Sequence, residues 1–230
     1  MYFIVFFSLL ISSTHGFHLR DYILDINKES NVKRQAVDES KIRFSCGVSD
    51  FQGVKLRDTV PWQNDRVTYM VLIESKKLSQ DIVRRTLRQA FDIWSAEIPR
   101  EFVEVNDESS ADIKIGFVTG KHCDMEPFAK NSNVFAHANP SGVLHFNDDI
   151  PWKSYSNADN IELKSIDFFW VALHELGHVL GLAHNTKVPK SVMENIYKHP
   201  ADQKGRYREP RLIPEDVDDI REIYGARIGK

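Results

Sequence analysis

Residues 171–185 read VALHELGHVLGLAHN, and they place His174, Glu175, His178, Gly181 and His184 within eleven positions. On a helix His174 and His178 stand four residues apart, so both imidazoles project from one face and can share one ion. Glu175 flanks that face, within reach of a water beside the ion. His184 lies six residues beyond His178, and a continued helix would carry it about 9 Å along the axis. Gly181 removes the difficulty, because glycine adopts the left-handed conformation that ends a helix and turns the chain back. Three imidazoles with an open fourth position suit a catalytic zinc, whereas a purely structural site usually adds a fourth protein ligand and leaves Glu175 unexplained. A chance match to all five positions somewhere in the chain is on the order of one in ten thousand.

The flanks of this segment read as one α+β domain. Residues 67–73 (VTYMVLI) form a β-branched and aromatic strand pattern. Val83, Leu87, Ala90, Phe91, Trp94 and Ile98 fall at helical spacing, predicting a helix over 80–98 that Pro99 stops. Strands are predicted over 102–105 and 112–118, with shorter ones at 134–136 and 143–146. The HELGH helix is predicted over 165–182, and a third over 214–224 that begins on Pro214.

The chain has 230 residues, 42% apolar and 27% charged, with net charge −3, which fits one globular domain and argues against disorder. A charge so near zero gives no reason to expect nucleic-acid binding. Residues 1–11 (MYFIVFFSLLI) are almost wholly apolar but too short to span a bilayer. With small residues following, 1–16 read as a secretory signal peptide cut near Gly16–Phe17, although no Lys or Arg precedes the apolar run. No later stretch reads as a membrane anchor. The expected product is a secreted, extracellular monomer.

HELGHVLGLAH, followed by Met193 in SVMEN, resembles the metzincin zinc proteases, in which a methionine turn underlies the metal. Within that clan the chain is similar to the matrixins, or matrix metalloproteinases. The likeness runs from about Cys46 to Gly225 and includes RVTYMV, FDIWS, ADIKIGFVTG, FAHA, LHF and DVDDIREIYG. Asn185 departs from the acidic residue that astacins and adamalysins carry after the third histidine. The hemopexin-like domain of many matrixins has no counterpart, which suggests a minimal, matrilysin-like form.

The resemblance implies a metzincin-type catalytic domain over 58–226. Its twisted, mostly parallel sheet has about five strands and three helices, with the zinc cleft beside an edge strand near 134–136. It implies Glu175 as general base, His174, His178 and His184 on the catalytic zinc, Gly181 and Met193 in structural roles, and Trp170 and Tyr197 on the substrate pocket. Trp170 reads equally well as a core side chain of its helix; as the residue that sets pocket depth it would favour small apolar side chains. Asn195 replaces a usual proline, which alters that wall. His122, Asp124, His137 and His145 match a structural zinc site. The family's calcium positions are occupied by Ala129, Lys130, Asn147 and Ile150, so Ca²⁺ binding is expected to be weak or absent. Asp148 and Asp149 read as ordinary solvated acids.

Residues 17–57 are expected to form a short propeptide, and 227–230 a tail. Cys46, in FSCGVSD, stands where matrixin propeptides carry a thiolate that binds the catalytic zinc and silences the zymogen. The prolines and arginine of that motif are replaced, and a Cys46–Cys123 disulfide is the competing reading. Activation is expected to cut between Asp50 and Trp62. The implied partners are extracellular protein or peptide substrates and a protein inhibitor. Two functions stand side by side: a zinc endopeptidase, and a catalytically silent metzincin domain that binds a protein. Intact Glu175 and the three histidines favour the enzyme.

Overall fold

The computed structural model describes residues 62–122, 127–130, 133–157 and 159–228. The predicted signal peptide, the predicted propeptide with Cys46, and the expected ligand Asp124 with its neighbour Cys123 lie outside the described residues.

Strand β1 (Arg66–Ile73) alternates as its sequence requires, with Val67, Tyr69 and Val71 buried. Helix α1 (Gln80–Glu97) starts at Ser79, whose hydroxyl accepts from the Ile82 amide, and buries Val83, Leu87, Ala90, Phe91 and Trp94 along one stripe. Strand β2 (Glu101–Glu104) follows, then a 3-10 turn (Glu108–Ser110) and β3 (Ile113–Val118). The short β4 (Ala136–Ala138) and β5 (Val143–Asn147) form a hairpin. Two-residue strands β6 (Trp152–Lys153) and β7 (Ile166–Asp167) pair in parallel just before helix α2 (Phe168–Val179), and helix α3 (Pro214–Tyr224) closes the domain.

The main sheet has the order β2-β1-β3-β5-β4. All its pairs are parallel except β4–β5, so β4 is an antiparallel edge strand. This is the expected α+β, mostly parallel five-stranded sheet with three helices. Helix α1 packs on β1 and β2 through stacked Tyr69, Phe91 and Phe102, at centroid distances of 4.3 and 4.8 Å. Helix α2 packs on β3 and β5 through Phe117, Phe146 and Phe168. The two helices meet where Trp94 Nε1 donates to Leu173 O at 3.0 Å.

Three details differ from the sequence reading. Helix α2 is twelve residues long, not eighteen: Ile166 and Asp167 are drawn into β7, and Asp167 caps the helix by accepting from Phe169 N and Trp170 N. The edge strand is 136–138 rather than 134–136, because its register is set by His137 opposite His145. Asp148 is not a solvated acid. It is buried and accepts from Ser75 Oγ at 2.8 Å and from Lys76 N, tying β5 to the end of β1.

Candidate metal centres and active site

Every residue of α2 is buried, which explains its largely apolar character. Its only charged or titratable members, His174, Glu175 and His178, are 0%, 0% and 3% exposed. Burying such groups is costly unless they are partnered. The imidazoles are partnered by main-chain oxygen: His174 Nδ1 donates to Val192 O at 2.6 Å, and His178 Nδ1 to Leu182 O at 2.7 Å. These bonds place the proton on Nδ1 and leave a lone pair on Nε2.

The Nε2 atoms converge. His178 Nε2 lies 3.1 Å from His174 Nε2 and 3.2 Å from His184 Nε2. Lone pairs aimed at one point repel one another, and a cation at that point turns the repulsion into ligation. Burial, and then the neighbouring imidazoles His178 and His184, push the His174 pKa well below the ordinary histidine range, so that ring is kept neutral and fit to ligate. His174, His178 and His184 form one group able to hold a metal ion.

Gly181 brings His184 back, as expected. Its φ is +96°, its N–H donates to His178 O, and Leu182 N donates to Gly177 O, both at 2.9 Å. Met193 lies beneath the helix. A Cβ added to Gly177 would overlap Met193 Sδ and crowd Trp94 Cζ2, so the methionine turn can approach only a glycine there. The turn is fastened from α3: Asp216 accepts from Ser191 Oγ and from Val192 N at 3.1 Å. Val192 O is the acceptor that orients His174, so α3 steadies a ligand it does not touch.

A second group able to hold a metal comprises His122, His137 and His145. His137 and His145 face each other across β4 and β5, with His137 Nε2 3.1 Å from His145 Nδ1. His122 Nε2 lies 3.3 Å from His137 Nε2, while its Nδ1 donates to Gly120 O at 2.9 Å. Phe128 stacks on His137 at 4.7 Å.

The matrixin family model matches residues 61–225, which contain both groups. The chain belongs to the matrixin family. Matrix metalloproteinase-C of Caenorhabditis elegans is 36% identical over 202 residues, covering 86% of this chain and 33% of that protein. Matrilysin of Rattus norvegicus is 34% identical over 188 residues, covering 79% of this chain and 66% of that protein. Human matrilysin matches with the same identity and coverage. The chain thus spans from about a third (33%) to just under two thirds (66%) of the length of these relatives.

In this matrixin Trp170 stacks on His174 at 5.2 Å and meets the ring of Tyr197 edge-on at 5.2 Å. Tyr197 continues to Phe135 at 5.7 Å, beside the edge strand. Tyr197 Oη accepts from Asp167 N at 3.0 Å, which ties this wall to the start of α2. Gly177, Asp167, Ser191 and Asp216 are site residues that sequence reasoning missed. Gly177 left one signal, since a glycine inside a helix costs about 1 kcal/mol relative to alanine and asks for a packing reason. No helix among the described residues is long and apolar enough to cross a membrane.

Proposed function

We propose that this matrixin is a secreted zinc endopeptidase, made as a zymogen, that hydrolyses peptide bonds in extracellular proteins. The observation that carries the reading is the buried convergence of three Nε2 atoms with Glu175 next to the first of them on one helix. The donor set fits zinc: neutral imidazoles with their Nδ1 protons held by carbonyls, and no fourth protein ligand among the described residues. Bound there, zinc supplies a Lewis acid for the scissile carbonyl and the attacking water.

Glu175 takes the proton of that water and returns it to the leaving amine. Buried at 0% exposure, its carboxylate has little water to compete with for that proton. The substrate lies extended along β4, whose outer edge ends the main sheet, and adds a strand to it. His122, His137 and His145, with Asp124, hold a second zinc that braces the hairpin carrying β4. Cys46 serves as the zymogen thiolate. Calcium plays little part.

The aromatic wall supports a substrate preference. Trp170 stacks on His174, Tyr197 meets Trp170 edge-on, Phe135 meets Tyr197 in turn, and Trp170 is only 8% exposed. A pocket bounded this way is shallow and admits small apolar side chains after the scissile bond.

Hydrolysis of a quenched fluorescent peptide library, with Glu175→Ala and a zinc chelator as controls, tests the reading. Cleavage that both controls abolish establishes the endopeptidase. With the propeptide removed, a folded, zinc-loaded chain that cleaves nothing overturns it in favour of a protein-binding domain. Preference for long side chains after the scissile bond would sink the shallow pocket alone.

A further inference from the structure

Five consecutive carbonyls, from Leu176 to Leu180, close helix α2 and lead into the turn that carries His184. Such terminal groups need partners from outside the helix or from the turn itself. Leu176, Gly177 and His178 are served locally, by the N–H groups of Leu180, Leu182 and Gly181, each at 2.9 Å. The last two are served from far away. Val179 O accepts from Trp62 Nε1 at 3.1 Å, and Leu180 O from the Tyr224 hydroxyl at 3.0 Å.

Trp62 is the first described residue, and it is firmly seated. Arg100 Nε donates to Trp62 O at 2.8 Å. The Arg100 guanidinium lies 5.3 Å over the Tyr224 ring, and Trp62 N reaches Tyr224 Oη at 3.5 Å. The far rim of the indole faces the β4–β5 turn: Cη2 stands 3.1 Å from where a Cβ on Gly142 would be. One side chain therefore bonds to the end of the α2 helix and lies beside the hairpin that carries β4, His137 and His145.

We propose that Trp62 is a positioning residue for the His174–His178–His184 centre, acting through the turn 179–184. Trp62 accordingly marks how far the chain can be trimmed from its N-terminal side without loss of activity. The chemistry is simple. Val179 and Leu180 are buried, so a carbonyl deprived of its donor finds no water and the turn must shift to recover one. That turn supplies Leu182 O to His178 Nδ1 and sets the place of His184. His174 is oriented separately, by Val192 O. Loss of Trp62 therefore disturbs two of the three imidazoles and spares the third. An activating cut before Trp62 keeps this seat; a cut after it removes the donor and the wedge together.

The proposal rests on the endopeptidase reading only for its activity arm. The test uses the chain activated by a cut before Trp62, with three variants: Trp62→Phe, which keeps a ring but loses the N–H; Trp62→Ala, which loses both; and Tyr224→Phe, which removes the neighbouring donor. Zinc release to a chelator, the visible spectrum of the cobalt-substituted centre, kcat and KM are read well below the melting temperature. Trp62→Ala should release zinc about tenfold faster, the lower end of what loss of a ligand-orienting contact causes. Its cobalt bands should move, and kcat should fall with KM unchanged. Trp62→Phe and Tyr224→Phe should show the same changes to a smaller degree, which keeps the test decisive if Trp62→Ala does not fold. Unchanged zinc release and cobalt bands in Trp62→Phe and Tyr224→Phe, with a lower melting temperature as the only effect, would overturn the positioning role. If the activated parent cleaves no peptide yet the variants loosen their metal, the enzymatic reading fails and the positioning role stands.

Discussion

One histidine triad of this matrixin is set by a helix and its turn, the other by a strand register. His174 and His178 need only the i, i+4 geometry of α2, and Gly181 delivers His184 within the next turn. His137 and His145 meet because β4 pairs antiparallel with β5, and His122 arrives from the loop after β3. The surroundings differ as well. The helical triad has Glu175 buried beside it, a methionine turn below it and an aromatic wall next to it. The strand triad has Phe128 stacked on His137, and His137 and His145 lie on the hairpin that contains the edge strand. The contrast teaches that two similar imidazole clusters are set apart by their second neighbours: a buried carboxylate beside one, a sheet-edge strand beside the other.

The sharpest way to break this contrast is at Glu175. Glu175→Gln keeps shape and removes the base, so peptide hydrolysis should fall by about 10²–10⁴-fold, the usual span for a general base. Metal analysis should show zinc content unchanged. Activity near the parent level would erase the distinction between the two triads. Next in size comes the paired removal of one ligand from each site. His178→Ala should cost one zinc and nearly all activity. His137→Ala should cost the other zinc, leave measurable hydrolysis, and make the segment between β3 and β5 more sensitive to a second protease. Equal loss of activity from both would mean that the centres act as one.

A smaller effect is expected under the helix. In Gly177→Ala the new methyl must displace Met193 Sδ or push toward Trp94. Overpacking of this kind costs about 1–3 kcal/mol, read as a lower midpoint in urea. Because the displaced residue lies under the triad, zinc release should quicken too, whereas a comparable overpacking remote from α2 should leave release unchanged.

How much of this was legible beforehand follows from sequence distance. Helical spacing is local, so His174, Glu175, His178 and the glycine stop at Gly181 were readable from fifteen residues of sequence. Register is not local. The pairing of His137 with His145 was reached through family likeness, and the short edge strand was placed two residues too early. The supports of the helical triad were hidden for the same reason. Asp216 reaches Val192 across 24 residues, and Trp62 reaches Val179 across 117, with no periodicity to announce either. The start of α2 was missed because Ile166 suits a helix as well as a strand, and only its pairing partner on β6, Trp152, decides between the two.

The last and smallest effect concerns Asp167, a burden that the helical triad carries and the strand triad does not. This carboxyl caps α2 and is fully buried, and burial is the main reason its pKa is pushed up to about 7; the Phe169 and Trp170 amides and the Tyr207 hydroxyl pull it down only in part. The folded state therefore binds this proton more tightly than the unfolded chain, whose carboxyl has its ordinary value near 3.8. The stabilisation is complete below that value and is lost as pH rises through about 7. Above it the helix is capped by an ionised group in a dry place. Asn caps a helix about as well as Asp and stays neutral. Asp167→Asn should therefore melt higher than the parent at pH 8 and show no advantage at pH 4. The gain should appear in thermal melts without altering the metal content of either triad. An Asn variant that is less stable at pH 8 would mean that the ionised carboxylate, held by the helix amides, is the better cap, and that this end of α2 carries no cost from its burial.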